Sequence, residues 1–150
     1  MLQIKTDLLI CGLGEIDGML DERVTHVLSI LDPGTPEPAK FAALPPDQLL
    51  RLRFHDVIEE DQPLSEAPRL AHIDAILNFG EEAARAHHRI LIHCHMGISR
   101  STAAAIMLLA KENRDAAAAV SRVTELRPIA WPNLRMIEIA DERLGLEQAL

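Results

Sequence analysis

Cys94 and Arg100 stand six positions apart in the run His93-Cys94-His95-Met96-Gly97-Ile98-Ser99-Arg100-Ser101, with a glycine inside the five-residue loop between them. A thiol becomes a nucleophile when nearby positive charge and hydrogen-bond donors stabilise its anion. A guanidinium offers a planar fork that matches two oxygens of a phosphoryl group. Gly97 lets the backbone turn so that successive amides face one point. The chemistry these residues suit is attack of a thiolate on phosphorus, with Arg100 stabilising the charge on the equatorial oxygens.

Such a loop needs rigid elements on both sides. Arg89-Ile90-Leu91-Ile92 reads as a short buried strand, and Thr102 to Lys111 as a helix that is apolar on nearly every side. A strand, a tight loop and a helix N-terminus together make an anion site. An arginine there meets the positive end of the helix dipole, a misfit that a bound anion relieves. Further strands are expected over 7–11, 24–30 and 48–54, the last because Leu50, Leu52 and Phe54 alternate with Arg51 and Arg53. A short helix or turn is expected over 15–23, and a long helix after Pro68 on the spacing of Leu70, Ile73, Ile76, Leu77 and Ala84. Asp115 opens another helix, Asn133 caps the last one and Gly145 ends it. The segments 33–47 and 55–68 read as surface loops. Strands alternating with helices predict a three-layer α/β fold with a mainly parallel central sheet and helices on both faces. Ligands of such sheets bind beyond the carboxyl ends of strands, where Cys94 falls.

The whole chain sets bounds on function. Its 150 residues suit a single domain over 1–150, with 48% hydrophobic and 25% charged residues, ordinary values for a globular protein. A net charge of −8 argues against nucleic acid or an anionic membrane as partner, so an anionic substrate must be held by the local loop. Leu8-Leu9-Ile10-Cys11 is too short for the core of a secretory signal, and no stretch approaches a membrane span. Cys11 and Cys94 form no disulfide or metal framework, and a thiolate nucleophile needs a reducing cytoplasm.

His-Cys-x5-Arg-Ser resembles the phosphate-binding signature of the cysteine-dependent protein phosphatases, and the small dual-specificity branch fits best. Val24-Thr25-His26-Val27-Leu28-Ser29-Ile30 is similar to a strand of those domains, and Arg127-Pro128 followed by Pro132-Asn133 is similar to the segment before their last helix. The order of elements also matches, over roughly residues 8 to 144. The resemblance implies a cysteine phosphatase of phosphate monoesters, acting on phosphotyrosine, phosphoserine or phosphothreonine through a cysteinyl-phosphate, with no cofactor and no metal. The partner would be a phosphorylated protein or a small phosphate monoester; the sequence leaves the oligomeric state open.

On this reading Cys94 is the nucleophile, and His95, Met96, Gly97, Ile98, Ser99 and Arg100 bind phosphate. Ser101 either donates a hydrogen bond to the Cys94 sulfur or simply caps the helix. The leaving oxygen must be protonated, and the family places an aspartate for this after the strand that precedes the long helix. Asp56, 38 positions before Cys94, is preferred because it follows the strand end; Asp61, 33 positions before, matches the family's interval better. His93 is read as structural, bonding the loop backbone, and His95 as a rim residue. A metal site from His87, His88, His93 and His95 is not expected, because the first two fall in a turn before the strand. Asn133 orients the loop or caps its helix, with the cap preferred. Trp131 or Phe54 lines the rim, and Cys11 is core unless it serves as a redox partner. Two other classes compete: a phosphate-recognition module without turnover, and a rhodanese-like sulfurtransferase or arsenate reductase.

Overall fold

The computed structural model describes residues 7–60, 62–85, 89–147 and 149–150. Asp61, His87 and His88 lie outside the described residues. Four strands, β1 (Asp7–Gly12), β2 (His26–Leu31), β3 (Leu49–Arg53) and β4 (Arg89–Cys94), pair in parallel in the order β1-β4-β2-β3. The helices are α1 (Ile16–Met19), α2 (Leu70–Arg85), α3 (Arg100–Asn113), α4 (Ala116–Leu126) and α5 (Leu134–Leu144).

Alternation along the strands divides their side chains between two cores. Leu8, Ile10, Leu28, Ile30, Leu52, Ile90, Ile92 and Cys94 pack with α2 to α5. Cys11, Val27, Leu49 and Leu91 pack on the other face, with Ile16 of α1 and with Phe41. The three-layer α/β arrangement holds, although the second face is covered thinly, by a four-residue helix and short turns. Burial on both faces explains why β2 and β4 are almost continuously apolar.

Helix α3 runs through the middle of the helical layer, and every residue from Arg100 to Ala110 is buried. Its alanines let the sheet and α2, α4 and α5 approach closely. Asp115 Oδ1 accepts from Ala118 N at 3.0 Å and Asn133 Oδ1 from Met136 N at 2.9 Å, so both expected caps form. Gly145 ends α5 in the left-handed region, at φ +66°.

Two expectations need correction. The segment 33–47 is not only surface loop, since a 3₁₀ turn over Ala39–Ala43 sends Phe41 into the second core beside His93. Phe54 does not line a rim: it is fully buried and its ring lies 4.6 Å from that of His72. Without that aromatic plug the core between β3 and α2 would lose its largest fully buried side chain.

Candidate active site

Cys94 is the last residue of β4 and Arg100 the first of α3, so the five residues 95–99 form the whole connection. Gly97 makes the turn at φ +69°, and a Cβ there would lie 2.5 Å from the Cys11 carbonyl carbon. Both facts restrict this position to glycine.

The loop's carbonyls are all taken from outside. His95 O accepts from Leu13 N at 2.9 Å, and Ile98 O from Trp131 N at 2.8 Å. Met96 O and Gly97 O each accept from the Arg127 guanidinium at 3.0 Å. Ser99 O accepts from Ala103 N and Asn133 N, both at 3.1 Å. A planar trans peptide points its N–H opposite to its C=O. Tying back five successive carbonyls therefore turns the amides of Met96, Gly97, Ile98, Ser99 and Arg100 away from those partners, as an anion-binding nest requires. Of the expected phosphate binders, His95 stands apart. Its amide precedes this set, and its ring sits half-buried beside Asp32, with Nε2 3.9 Å from Asp32 Oδ2.

Cys94 is buried, and its sulfur lies 3.2 Å from Ser101 Oγ. Burial pushes the thiol up, but the Ser101 hydroxyl, the amides of Ser101 and Gly97 and the Arg100 charge outweigh it and bring the thiol below its ordinary value. Ser101 thus meets the sulfur, and Ser99 is the residue at the helix N-cap. His93 bonds the Cys94 carbonyl through Nδ1 at 3.2 Å and Ser29 Oγ through Nε2 at 2.8 Å. Its burial lowers its pKa to about 4, so it is a neutral strut under the loop.

Arg100 is buried. Its Nη1 donates to Asp32 Oδ1 at 2.8 Å and to Phe54 O at 2.6 Å. Its Nε is buried and has no hydrogen-bond partner among the described residues, which marks a donor suited to an anion's oxygen. Asp56 is exposed, three residues beyond β3, and its Oδ1 accepts from Ser99 Oγ at 2.7 Å and from Asn133 Nδ2 at 2.8 Å. Asn133 therefore both caps α5 and braces Asp56. Cys11 packs on the opposite face of the sheet from Cys94, and burial and the Glu15 charge push its thiol up to about 12. Trp131 is largely exposed beside the loop. Among the described residues no group of three or more His, Cys, Asp or Glu side chains is placed to hold a metal.

Sequence reasoning missed Asp32, Arg127 and Glu15 as parts of the site. Asp32 reads as the start of a Pro-Gly turn, and nothing local in the sequence links Glu15 to Arg127, 112 positions away.

A thiol-bearing loop at the end of a parallel strand, closed by a buried arginine at a helix N-terminus, is the arrangement of the cysteine-dependent tyrosine and dual-specificity phosphatase class. The comparisons agree. Residues 36–139 match the family described as dual specificity phosphatase, catalytic domain. The chain belongs to that family. It is 33% identical over 124 residues to human protein phosphatase Slingshot homolog 3, covering 78% of this chain and 16% of that protein. It is 30% identical over 115 residues to dual specificity protein phosphatase 1 of Arabidopsis thaliana, covering 76% and 52%. The chain thus spans only part of the curated relatives it matches. Among solved structures, human DUSP28 superposes with a TM-score of 0.64 at 23% identity, covering 95% of this chain and 94% of that one.

Proposed function

We propose that residues 1–150 act as one phosphatase domain that hydrolyses phosphate monoesters in two steps through a cysteinyl-phosphate. The observation that carries this is the Cys94 sulfur held against Ser101 Oγ inside a loop whose five carbonyls are all tied back. In the first step the Cys94 thiolate attacks phosphorus and the ester P–O bond breaks. Asp56 gives its proton to the departing oxygen. Its Oδ1 already takes two hydrogen bonds, so Oδ2 is the oxygen that carries the proton. In the second step water attacks phosphorus and passes a proton to the Asp56 carboxylate. The P–S bond then breaks, and the departing sulfur is stabilised by the Ser101 hydroxyl. The inward amides and Arg100 balance the charge on the equatorial oxygens in both steps, so the reaction uses no metal and no cofactor.

Phosphorylated proteins carrying phosphotyrosine, phosphoserine or phosphothreonine are the substrates this family suggests, and small phosphate monoesters fit the same loop. A thiolate nucleophile suits a reducing compartment, and we place the protein in the cytoplasm. Among the described residues no helix is long and apolar enough to cross a membrane.

Release of phosphate from a small aryl phosphate at mildly acidic pH, with a chelator present, tests the reading. Turnover is expected from wild type, none from Cys94→Ser, and a strong loss from Asp56→Ala but not from Asp61→Ala. The reverse order of the two aspartate variants would move the acid to Asp61. No turnover by wild type, with phosphopeptide still bound, would replace the enzyme by a recognition module.

A further inference from the structure

Arg127 is the group that touches the catalytic loop most extensively from outside. Its Nε donates to Gly97 O and its Nη2 to Met96 O, each at 3.0 Å. The far edge of the guanidinium is fixed by Glu15, with Nη1 2.9 Å from Oε1 and Nη2 2.6 Å from Oε2. Glu15 is fixed in turn by the end of β1, since Gly12 N donates to its Oε2 at 2.6 Å. Every nitrogen of Arg127 is thereby engaged, and the fork holds the loop by two adjacent carbonyls.

The Met96 carbonyl belongs to the same planar peptide as the Gly97 N–H, and that N–H is one of the groups that bring the Cys94 thiol below its ordinary value. Fixing one end of the peptide fixes the direction of the other. Gly97 has no side chain to steady this peptide itself, and any Cβ there would strike Arg127 Nη2 at 2.7 Å. We propose that Arg127, locked by Glu15, is a positioning residue that aims the Gly97 N–H at the Cys94 sulfur. This rests on the reading of Cys94 as the nucleophile. Glu15 and Arg127 each favour the other's charged form through their hydrogen bonds.

The test is the pH dependence of Cys94 alkylation by iodoacetamide, followed by mass analysis of the Cys94 peptide, which needs no turnover. Among the described residues the other charged and titratable groups around the sulfur are Arg100 from α3, Cys11 from β1, His93 and His95 on either side of it, and Asp56 beyond β3 in the proposed mechanism, and none is altered in the variants. Arg127→Met is expected to move the alkylation midpoint up by about one pH unit, the worth of one charge-assisted hydrogen bond. Arg127→Lys keeps the charge but loses the fork, so it should behave like Arg127→Met. Glu15→Gln leaves Arg127 present but less firmly held, and should move the midpoint the same way by less. Arg143→Met, which breaks a surface ion pair with Asp74, should leave it unmoved. Full restoration by Arg127→Lys would assign the effect to bare charge and overturn the aiming role. So would unmoved midpoints in the Arg127 and Glu15 variants; if Arg127→Met does not fold, Glu15→Gln decides. A wild-type midpoint at the ordinary thiol value would instead remove the nucleophile reading, and this inference with it.

Discussion

Asp32 holds Arg100 by a 2.8 Å hydrogen bond from Nη1, and the Phe54 carbonyl takes the same nitrogen at 2.6 Å. The two acceptors immobilise one arm of the fork from the ends of β2 and β3 and leave Nε for an anion. Asp32→Ala should lower kcat/KM for an aryl phosphate by about tenfold to a hundredfold, because a mobile guanidinium loses its alignment. Asp32→Asn, which still offers an oxygen, should lose less. Equal rates in wild type and Asp32→Ala would show that Phe54 O alone suffices.

Asn133 serves two elements with two atoms, and a substitution can separate them. Ser in its place keeps an acceptor for Met136 N but loses the donor to Asp56. Asn133→Ser should therefore melt near wild type while kcat falls about tenfold, as the Asp56 carboxylate, the proposed acid, becomes mobile. Asn133→Ala loses both and should cost about 1 kcal/mol more in urea titration.

His93 contributes a pH-dependent stability. Burial lowers its pKa from 6.5 to about 4, so between these values the unfolded chain binds a proton that the folded one does not. Stability from this group is full above pH 6.5 and is lost as pH falls toward 4, by about 3 kcal/mol in all. Urea titrations at pH 7 and pH 4.5 should show a smaller difference in His93→Gln than in wild type. An equal difference would assign the acid sensitivity elsewhere.

The two thiols should differ sharply in reactivity. Cys94 is held below its ordinary value, whereas Cys11 is pushed up to about 12 on the opposite face of the sheet. At neutral pH iodoacetamide should label Cys94 alone in the native protein and both cysteines in urea. Native labelling of Cys11 would show that β1 opens at its end.

What could be read from the sequence was local. The spacing of Cys94, Gly97 and Arg100 is a property of one loop, and the caps Asp115 and Asn133 are single residues at helix starts. Strand positions followed from apolar alternation for β3 and from a continuous apolar run for β4, to within two residues at each end. Contacts across long separations were not legible. Asp32 reaches Arg100 across 68 positions, and Asn133 reaches Asp56 across 77. Alternation puts Phe54 on the apolar face with Leu50 and Leu52, but only the placement of α2 shows that this strand end is enclosed and not at the rim. The sheet order, not any short motif, creates these meetings.

That order also bears on how the molecule assembles. The strand that carries Cys94 lies between β1 and β2, and its partners are far back in the chain: Arg89 pairs with Asp7, 82 positions away, and bonds Thr25, 64 away. During synthesis β1 has no neighbour until β4 emerges, and its backbone edge stays open to wrong partners in the interval. Insertion of β4 joins β1 to the β2–β3 pair and sets the loop of residues 95–99 in the same event. Folding of this chain should be slow for its size, with the active site among the last parts to form, so that the appearance of a reactive Cys94 marks completion of the sheet.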